Sequence, residues 1–245
     1  LLSNDDCKIT KENITSDYTW SIKKINNVNF AMISRSFDSK YTIADYYENG
    51  KAVTRIKIPI PGVHNLSNVT AAISACRILN IDINNILKNI QLLQLPRKRF
   101  DLRGEISGRK IIDDYAHHPN EIKATIELAR LFIKKRNNNP NRLVVIFQPH
   151  RYSRINKFLD DFIKELSKAD FIIITNIFSA GEHKLNDINS QFIADKIYKI
   201  NKNIKFINSN NQVAKEFFDL TNKGDLILNM GAGDCHNLWS LLHSK

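Results

Sequence analysis

Two short segments place carboxylates, imidazoles and guanidinium groups close enough together to bind anions or move protons. Residues 113–119 read DDYAHHP, and residues 148–154 read QPHRYSR. Imidazoles beside carboxylates can bind a metal, accept hydrogen bonds from sugar hydroxyls or shuttle protons. Two arginines three positions apart can converge on one carboxylate or phosphate if the segment is helical. The alternatives are a capped helix start for the first segment and a solvated basic loop for the second.

The histidines of the first segment, His117 and His118, are a poor zinc set. Adjacent imidazoles from one loop cannot easily ligate the same ion, and no Cys or Glu cluster accompanies them. Cys7, Cys76 and Cys235 lie far apart without a CxxC pair, which argues against a zinc module and a disulfide framework. We therefore predict no metal ligands in this chain and a reducing, cytoplasmic environment.

A third polar group, His64, Asn65 and Asn68, stands where a helix should begin after Pro61 and Gly62. The spacing of three places Asn65 and Asn68 on one helix face. Because an amide donates and accepts hydrogen bonds at once, the pair could recognise a purine edge. Capping and turn chemistry explains one such residue well and all three less well.

The basic run at residues 97–99, RKR, lies where the sequence pattern changes, and it either clamps phosphates in an interdomain cleft or is a solvated linker. Over the whole chain, 36 Lys and Arg against 25 Asp and Glu leave a net charge of +11, which favours anionic partners. No stretch concentrates the basic residues on one helix face with interleaved aromatics. We therefore predict no nucleic-acid partner.

The N-terminal part predicts strands followed by helices. Residues 18–60 are β-branched and aromatic runs between polar or glycine turns, which predicts an antiparallel meander. Its strands are YTWSIKKI, VNFAMISRSF, YTIADYY and KAVTRIKIPI. Apolar residues then recur at helical spacing from residue 69 to residue 79, and Asp82 can cap a second helix with an apolar stripe from residue 83 to residue 90.

From about residue 101, apolar strands alternate with amphipathic helices, which is typical of a parallel sheet covered on both faces. The predicted strands are 110–114, 143–147, 171–175, 204–208 and 225–229, and the predicted helices are 119–135, 156–167, 190–200, 210–220 and 235–243. Ser190 is a plausible N-cap, Pro119 suits a first helical turn, and residues 137–140 are a loop.

Ligands of such open sheets collect beyond the carboxyl ends of the strands. Four polar segments follow strands there: DDYAHHP, QPHRYSR, SAGEH at residues 179–183 and GAGD at residues 231–234. GAGD lacks the third glycine of a dinucleotide loop, so it predicts a tight strand-to-helix turn. We expect one ligand site at this edge.

These patterns predict an α/β protein in two parts. Residues 1–98 form a β-rich and helical part, and residues 99–245 form a mostly parallel α/β domain. The 245 residues are 42% apolar, which is enough for a real core. No run approaches a membrane span and no signal peptide is present, so we predict no membrane association. The chain begins with Leu1 rather than Met, and we expect it to be processed or cut from something longer.

The order of the motifs PGVHNLSNVTAA, PRKRFD, DDYAHHPNEI, FQPHRYSR, SAGE and GAGD resembles the Mur ligases of peptidoglycan synthesis, and most specifically their alanine-adding members. The family has a UDP-binding domain, a central ATPase domain and a Rossmann-like domain. The resemblance implies that residues 1–98 are the last part of the second and residues 99–245 the whole of the third. It further implies ATP-dependent ligation of L-alanine to UDP-N-acetylmuramate through an acyl phosphate, with Mg²⁺ neutralising phosphate charge.

The resemblance also implies roles for individual residues. His64, Asn65 and Asn68 would contact ATP near the adenine, Arg99 its phosphates, and Asp114 its ribose. Arg99 would thereby take part in catalysis.

A second set of residues would surround the reacting groups. The resemblance implies that two histidines take part in catalysis, that four residues bind substrate, and that two arginines among these four hold the alanine carboxylate. The histidines are His117 and His118, the arginines are Arg151 and Arg154, and the other two substrate-binding residues are Tyr115 and His150.

The family's phosphate-binding loop has no counterpart here. The nearest string, GEISGRK at residues 104–110, lacks its spacing and its Ser or Thr. The UDP-binding domain and the upstream magnesium-binding Glu are missing as well, so we expect most Mg²⁺ ligands elsewhere and predict that this chain alone is inactive. It is then a fragment of a ligase, a subunit that pairs with the N-terminal portion as a separate chain, or a non-catalytic nucleotide- or precursor-binding module.

Overall fold

A computed structural model of the chain describes residues 1–133, 141–185 and 187–243. They form two compact units, Leu1–Gln94 and Leu95–Lys245. The boundary between the units lies just before the basic run at residues 97–99. Among the helices of the described residues, none is long and apolar enough to cross a membrane.

The N-terminal unit is a five-stranded sheet with three helices. In chain order its elements are β1 (Leu2–Asn4), α1 (Lys8–Asn13), β2 (Tyr18–Ser21), β3 (Phe30–Phe37), β4 (Thr42–Glu48), β5 (Lys51–Ile58), α2 (Val63–Ile78) and α3 (Ile83–Ile90). The strand order is β1-β2-β3-β4-β5. Buried side chains of β3, β4 and β5 pack against α2 and α3 in one core.

The predicted antiparallel meander is confirmed for β3, β4 and β5 and wrong for β2. Strand β2 pairs in parallel with β3, and β1, which the sequence analysis missed, pairs in parallel with β2. Residues 22–29 return the chain to the starting end of β2, where Asn29 donates its N–H to the Thr19 carbonyl and accepts the Thr19 N–H on Oδ1. By contrast, left-handed Asn49 and Gly50 make the tight turn that reverses β4 into β5.

The two predicted helices of this unit are confirmed as α2 and α3. The Asp82 carboxylate accepts the N–H of Asn84 at 2.8 Å, which is the predicted cap. Ile83, Ile86 and Leu87 pack against the core, and Ile90 is buried in it. The apolar spacing of the first helix extends one residue too far, because Leu79 lies after the last turn of α2 with 73% of its surface exposed.

The C-terminal unit is a six-stranded sheet with helices on both faces, as predicted. Its strands are β6 (Asp101–Ile106), β7 (Arg109–Asp114), β8 (Leu143–Phe147), β9 (Phe171–Ile174), β10 (Ile204–Phe206) and β11 (Leu226–Met230), in the order β10-β9-β8-β11-β7-β6. Its helices are α4 (Pro119–Phe132), α5 (Tyr152–Lys157), α6 (Leu159–Leu166), α7 (Ser190–Tyr198), α8 (Asn210–Leu220) and α9 (Leu238–His243). Among the strands of this unit in the described residues, β6 alone runs antiparallel to its neighbour, and it was not predicted.

Several predicted boundaries need correction. The helix predicted at residues 156–167 is two helices, α5 and α6, of which the first begins at Tyr152. They are separate because the backbone of Phe158 leaves the helical region at φ −121° and ψ 26°. The N-cap of α7 is Asn189, whose side chain accepts the Phe192 N–H, rather than Ser190. A 3-10 turn, Cys235–Asn237, precedes the last helix. Helix α4 ends at Phe132 rather than at residue 135, because the backbone of Ile133 is extended at φ −83° and ψ 111°. The loop predicted at residues 137–140 lies outside the described residues.

The central strands explain why the sheet is parallel and covered. All five residues of β8 and all five of β11 are buried, and neighbouring residues in each strand point into different cores. The core on one face contains buried side chains of α4, α6 and α7. The core on the other face contains buried side chains of α8 and α9.

Two adjacent phenylalanines on α8 test this packing. Phe217 is fully buried, whereas Phe218 is 42% exposed and its ring centroid lies 5.1 Å from the guanidinium carbon of Arg109. We expect Phe217→Ala to lower the free energy of unfolding by about 3–5 kcal/mol because it leaves a cavity. Phe218→Ala should cost less than about 1 kcal/mol. Urea unfolding followed by circular dichroism measures both, and equal costs would contradict the assigned faces.

Candidate functional site

Three polar segments follow strands of the C-terminal sheet that end in register with one another. Met230, the last residue of β11, lies opposite both Asp114 of β7 and Phe147 of β8. The chain continues from β7 and β8 to helices on one face, and from β11 to the last helix on the other face. Such a divergence opens a crevice at the carboxyl edge, where ligands of open α/β sheets bind. The predicted segments DDYAHHP, QPHRYSR and GAGD all line this edge.

A row of rings crosses the edge. The Tyr115 and His117 ring centroids are 5.2 Å apart, and those of His117 and His150 are 5.5 Å apart. The His150 ring stacks on Phe178 at 5.6 Å with an interplanar angle of 9°. The row therefore joins two of the polar segments to Phe178, which lies directly before the third, SAGEH, and which the sequence analysis did not single out.

His150 is held neutral in this row. Arg154 lies with its Nη1 atom 3.1 Å from the Nδ1 atom of His150, and because a guanidinium only donates, Nδ1 must be unprotonated. Burial lowers the pKa of His150 to about 4, and the electrostatic influence of Arg154, His117 and Arg151 lowers it further. The proton of the neutral ring is then on Nε2, so His150 can donate a hydrogen bond from Nε2 while Arg154 occupies its acceptor nitrogen.

The two predicted arginines flank the first turn of α5. Arg151 precedes the helix with a left-handed backbone, φ 67°, and its N–H bonds the Phe178 carbonyl at 2.9 Å. Its guanidinium is 48% exposed and 3.9 Å from Oε1 of Glu182. Arg154 donates one N–H to His150, so most of its five N–H groups stay available to an anion. The pair is therefore suited to bind a carboxylate.

The remaining residues of DDYAHHP start helix α4. The Glu121 carboxylate accepts the N–H groups of His117 and His118, and the His118 ring accepts the Asn120 N–H. Pro119 occupies the first helical turn, as predicted. His118 thus has a capping function in the structure, whereas the His117 ring faces the row described above.

Asp114 is buried, and the chain itself occupies its carboxylate. Oδ2 accepts the Phe100 N–H at 2.7 Å, and Oδ1 accepts the Ala116 N–H at 2.7 Å and the Thr125 hydroxyl at 3.3 Å. Burial raises the pKa of Asp114, and the hydrogen bonds from Phe100 and Ala116 oppose that rise. In this structure Asp114 fixes the turn that carries exposed Arg99, where Lys98 and Phe100 adopt left-handed backbones of φ 61° and 48°.

In the N-terminal unit, the structure pairs different residues from those expected. Asn65 is 7% exposed and donates its amide to the Pro61 carbonyl, so it does not share a free face with Asn68. The exposed pair is His64 and Asn68, with Nε2 and Nδ2 3.2 Å apart. The physical reason is burial, since the Asn65 side chain points into the protein, where its amide must find a partner and finds the Pro61 carbonyl.

The GAGD segment is the tight turn that the sequence predicts. A side chain on Gly233 would place its Cβ 2.4 Å from Oε1 of Gln148 and 2.6 Å from the Phe178 ring. Gln148 in turn bonds Asp234 and the N–H of Cys235. Glycine at position 233 therefore lets Phe178 reach His150. Among residues 1–133, 141–185 and 187–243, no group of three His, Cys, Asp or Glu side chains could hold a metal ion.

Glu182 was missed among the site residues. Its carboxylate accepts both the N–H and the hydroxyl of Ser153, and it faces Arg151. The signal was present, since the motif SAGE was noted as a polar segment. Its distance of about 30 positions from the arginines hid the contact, because spacing alone does not show which loops meet.

The comparisons with known proteins agree on one family. A family model described as "Mur ligase, glutamate ligase domain" matches residues 98–233. The UDP-N-acetylmuramate--L-alanine ligase of Prochlorococcus marinus subsp. pastoris (strain CCMP1986 / NIES-2087 / MED4) is 55% identical and aligns with 100% of this chain and 53% of its own length. The ligase of the same name from Synechococcus sp. (strain CC9605) is 39% identical, with coverages of 100% and 53%. The chain spans about half the length of the curated relatives it matches.

Solved structures share the fold. A UDP-N-acetylmuramate-alanine ligase from Thermotoga maritima superimposes with a TM-score of 0.76 at 25% identity, over 94% of this chain and 47% of that one. A MurF ligase from Thermotoga maritima in complex with ADP gives a TM-score of 0.70 at 15% identity, over 99% of this chain and 52% of that one. The second likeness concerns the fold alone.

The surroundings of His150 predict the pH at which its ring titrates. Because its neutral form is favoured in the folded state, the stability it contributes is full above the ordinary pKa of 6.5 and is lost as the pH falls toward about 4. We expect its ring signals in NMR spectra to titrate near pH 4. Arg154→Ala should move the midpoint upward, since one positive neighbour is gone, but burial should keep it below 6.5. A wild-type midpoint near 6.5 would contradict the described environment.

Proposed function

The chain belongs to the Mur ligase family, and from that premise we propose that it contributes the amino-acid site of an ATP-dependent ligase that joins L-alanine to UDP-N-acetylmuramate. The observation that carries the proposal is the pair Arg151 and Arg154 beside neutral His150 at the carboxyl edge of the sheet. An α-amino acid presents a carboxylate and an amine that must lose a proton before it attacks. The site offers guanidinium donors for the first and, for the second, the imidazole of His117, whose Nδ1 donates to the Tyr115 carbonyl so that Nε2 of the neutral ring is an acceptor.

The reaction would proceed in two steps. The γ-phosphoryl group of ATP passes to the carboxylate of UDP-N-acetylmuramate, which gives an acyl phosphate and ADP. The amine of L-alanine then attacks the acyl carbon, and the tetrahedral intermediate expels phosphate and leaves an amide. Arg151 and Arg154 would hold the alanine carboxylate, while Tyr115, His117 and His150 would line the side from which the amine approaches.

The binding of ATP rests on the family resemblance. His64 and Asn68 are exposed and adjacent, which supports contact with an adenine. Arg99 is exposed as well, which supports contact with phosphates. Asn65 and Asp114 form hydrogen bonds with other groups of the protein, so their contacts with ATP stay predictions of the resemblance.

Among the described residues, no group of three His, Cys, Asp or Glu side chains could hold a metal ion. Mg²⁺ that binds the phosphates of ATP takes one or two protein ligands. The family resemblance places these ligands mostly in a part of the ligase that this chain does not include, and we propose that they come from there. That part belongs to the same longer protein or to a separate chain. A cytoplasmic location stays a prediction.

The first experiment is the intact mass of the protein as its own cell makes it, followed by a ligation assay on that material. A mass well above 28.2 kDa, with formation of the amide from ATP, L-alanine and UDP-N-acetylmuramate, would support the proposal. A mass near 28.2 kDa without ligation would favour a non-catalytic module, and nucleotide binding would then be measured by calorimetry.

The arginine pair gives a kinetic prediction. In the ligase as the cell makes it, Arg151→Ala should raise the KM for L-alanine by on the order of tenfold or more and leave the KM for ATP unchanged, because one charged contact with the carboxylate is lost. Arg35→Ala is the matched control, since Arg35 is an exposed guanidinium on β3 whose partner Asp45 also binds Arg55. Equal increases in both Michaelis constants after Arg151→Ala would remove Arg151 from the alanine site.

A further inference from the structure

We infer that Glu182 is a positioning residue for the arginine pair, because its carboxylate fixes the first turn of α5 and so sets where Arg151 and Arg154 stand. This inference rests on the proposed function for the identity of the ligand. It assigns a role to the SAGE motif, which the reaction scheme above leaves without one.

The segment before Glu182 is shaped to bring the carboxylate back toward α5. Ala180 and Gly181 both have left-handed backbones, with φ 50° and 85°. The Glu182 N–H bonds the Ser179 carbonyl at 3.1 Å and closes the turn. Nothing lies within 4 Å of a side chain built on Gly181, so its glycine is required by the backbone conformation and not by lack of space.

The Glu182 carboxylate then meets the start of α5 with both oxygens. Oε2 accepts the Ser153 N–H at 3.0 Å, and Oε1 accepts the Ser153 hydroxyl at 2.7 Å. Hydrogen bonds from the Ser153 side chain and backbone hold the pKa of the Glu182 carboxyl below its usual value. The group is therefore ionised at neutral pH and satisfies an N–H that the first turn of a helix leaves without a partner.

The backbone supports the same arrangement from the other end of the segment. The Phe178 carbonyl accepts the Arg151 N–H at 2.9 Å, and the Phe178 N–H bonds the Pro149 carbonyl at 2.8 Å. The left-handed conformation of Arg151 is costly for a side chain with a Cβ and persists only where its surroundings fix it. Phe178 and Glu182 are those surroundings.

Hydrogen exchange tests the positioning without any ligand. In the full chain, Glu182→Ala should speed exchange in the segment of residues 150–158 by on the order of tenfold, because the Ser153 N–H loses its acceptor. Glu216→Ala is the matched control, since this partly exposed carboxylate on α8 accepts hydrogen bonds from Lys205 of β10 and Gln212 of α8. Unchanged exchange in residues 150–158 after Glu182→Ala would overturn the inference, whether or not the protein ligates alanine.

Kinetics of the ligase, as the cell makes it, test the consequence for the site. Glu182→Ala should raise the KM for L-alanine by on the order of tenfold while the KM for ATP stays constant. Glu182→Gln should restore most of the affinity, because its amide oxygen can still accept the Ser153 N–H. The double variant Ser153→Ala/Glu182→Ala should have the same KM for L-alanine as Glu182→Ala. The reason is that Glu182→Ala already removes the hydroxyl contact that Ser153→Ala would remove.

Two results would contradict this role even if exchange changes as expected. One is an unaltered KM for L-alanine in Glu182→Ala, and the other is a Glu182→Gln variant as impaired as Glu182→Ala. A wild-type protein that forms no amide from L-alanine would instead refute the proposed function, and the exchange experiment would still decide whether Glu182 orders the arginine segment.

Discussion

Strand β11 hydrogen-bonds to β7 on one side and to β8 on the other, and the candidate site depends on this insertion. The residues that end β7 and β8 lie level with Met230 only because β11 holds both strands in register. The segments that follow can then meet, with His117 from one beside His150 from another. Burial keeps β11 in this position, since every residue of β8 and β11 is buried. A shift in strand register by one residue would turn the side chains of each core toward the other core.

The parts of the fold that the sequence predicts are those with one dominant physical signal. Five apolar runs became β7 to β11 because burial on both faces leaves a continuous hydrophobic pattern. Strand β6 escaped prediction because its sequence, DLRGEI, is largely polar and lies at the edge of the sheet. The parallel pairing of β2 with β3 also escaped, because strand direction depends on where residues 22–29 lead the chain, which the composition of the strands does not encode.

The site divides in the same way. The arginines and histidines could be found from residue type and spacing, since the members of each group are neighbours within one segment of the sequence. Phe178 and Glu182 could not, because their contacts with His150 and Ser153 cross from one loop to another. What joins these loops is backbone geometry, including the bond from the Arg151 N–H to the Phe178 carbonyl, and no periodicity in the sequence reports it.

The residues that the family resemblance assigns to ligand binding differ in burial, and this difference decides whether they also stabilise the fold. Polar groups inside a protein must find partners there, since an unsatisfied buried donor or acceptor costs about 1–3 kcal/mol. Asn65 and Asp114 meet that requirement with the Pro61 carbonyl and with the N–H groups of Phe100 and Ala116, so each stabilises the fold whether or not a nucleotide is bound. Exposed residues have no such obligation. Arg151 keeps its guanidinium half in water, and a carboxylate that replaces this water gains a charged contact without breaking one inside the protein.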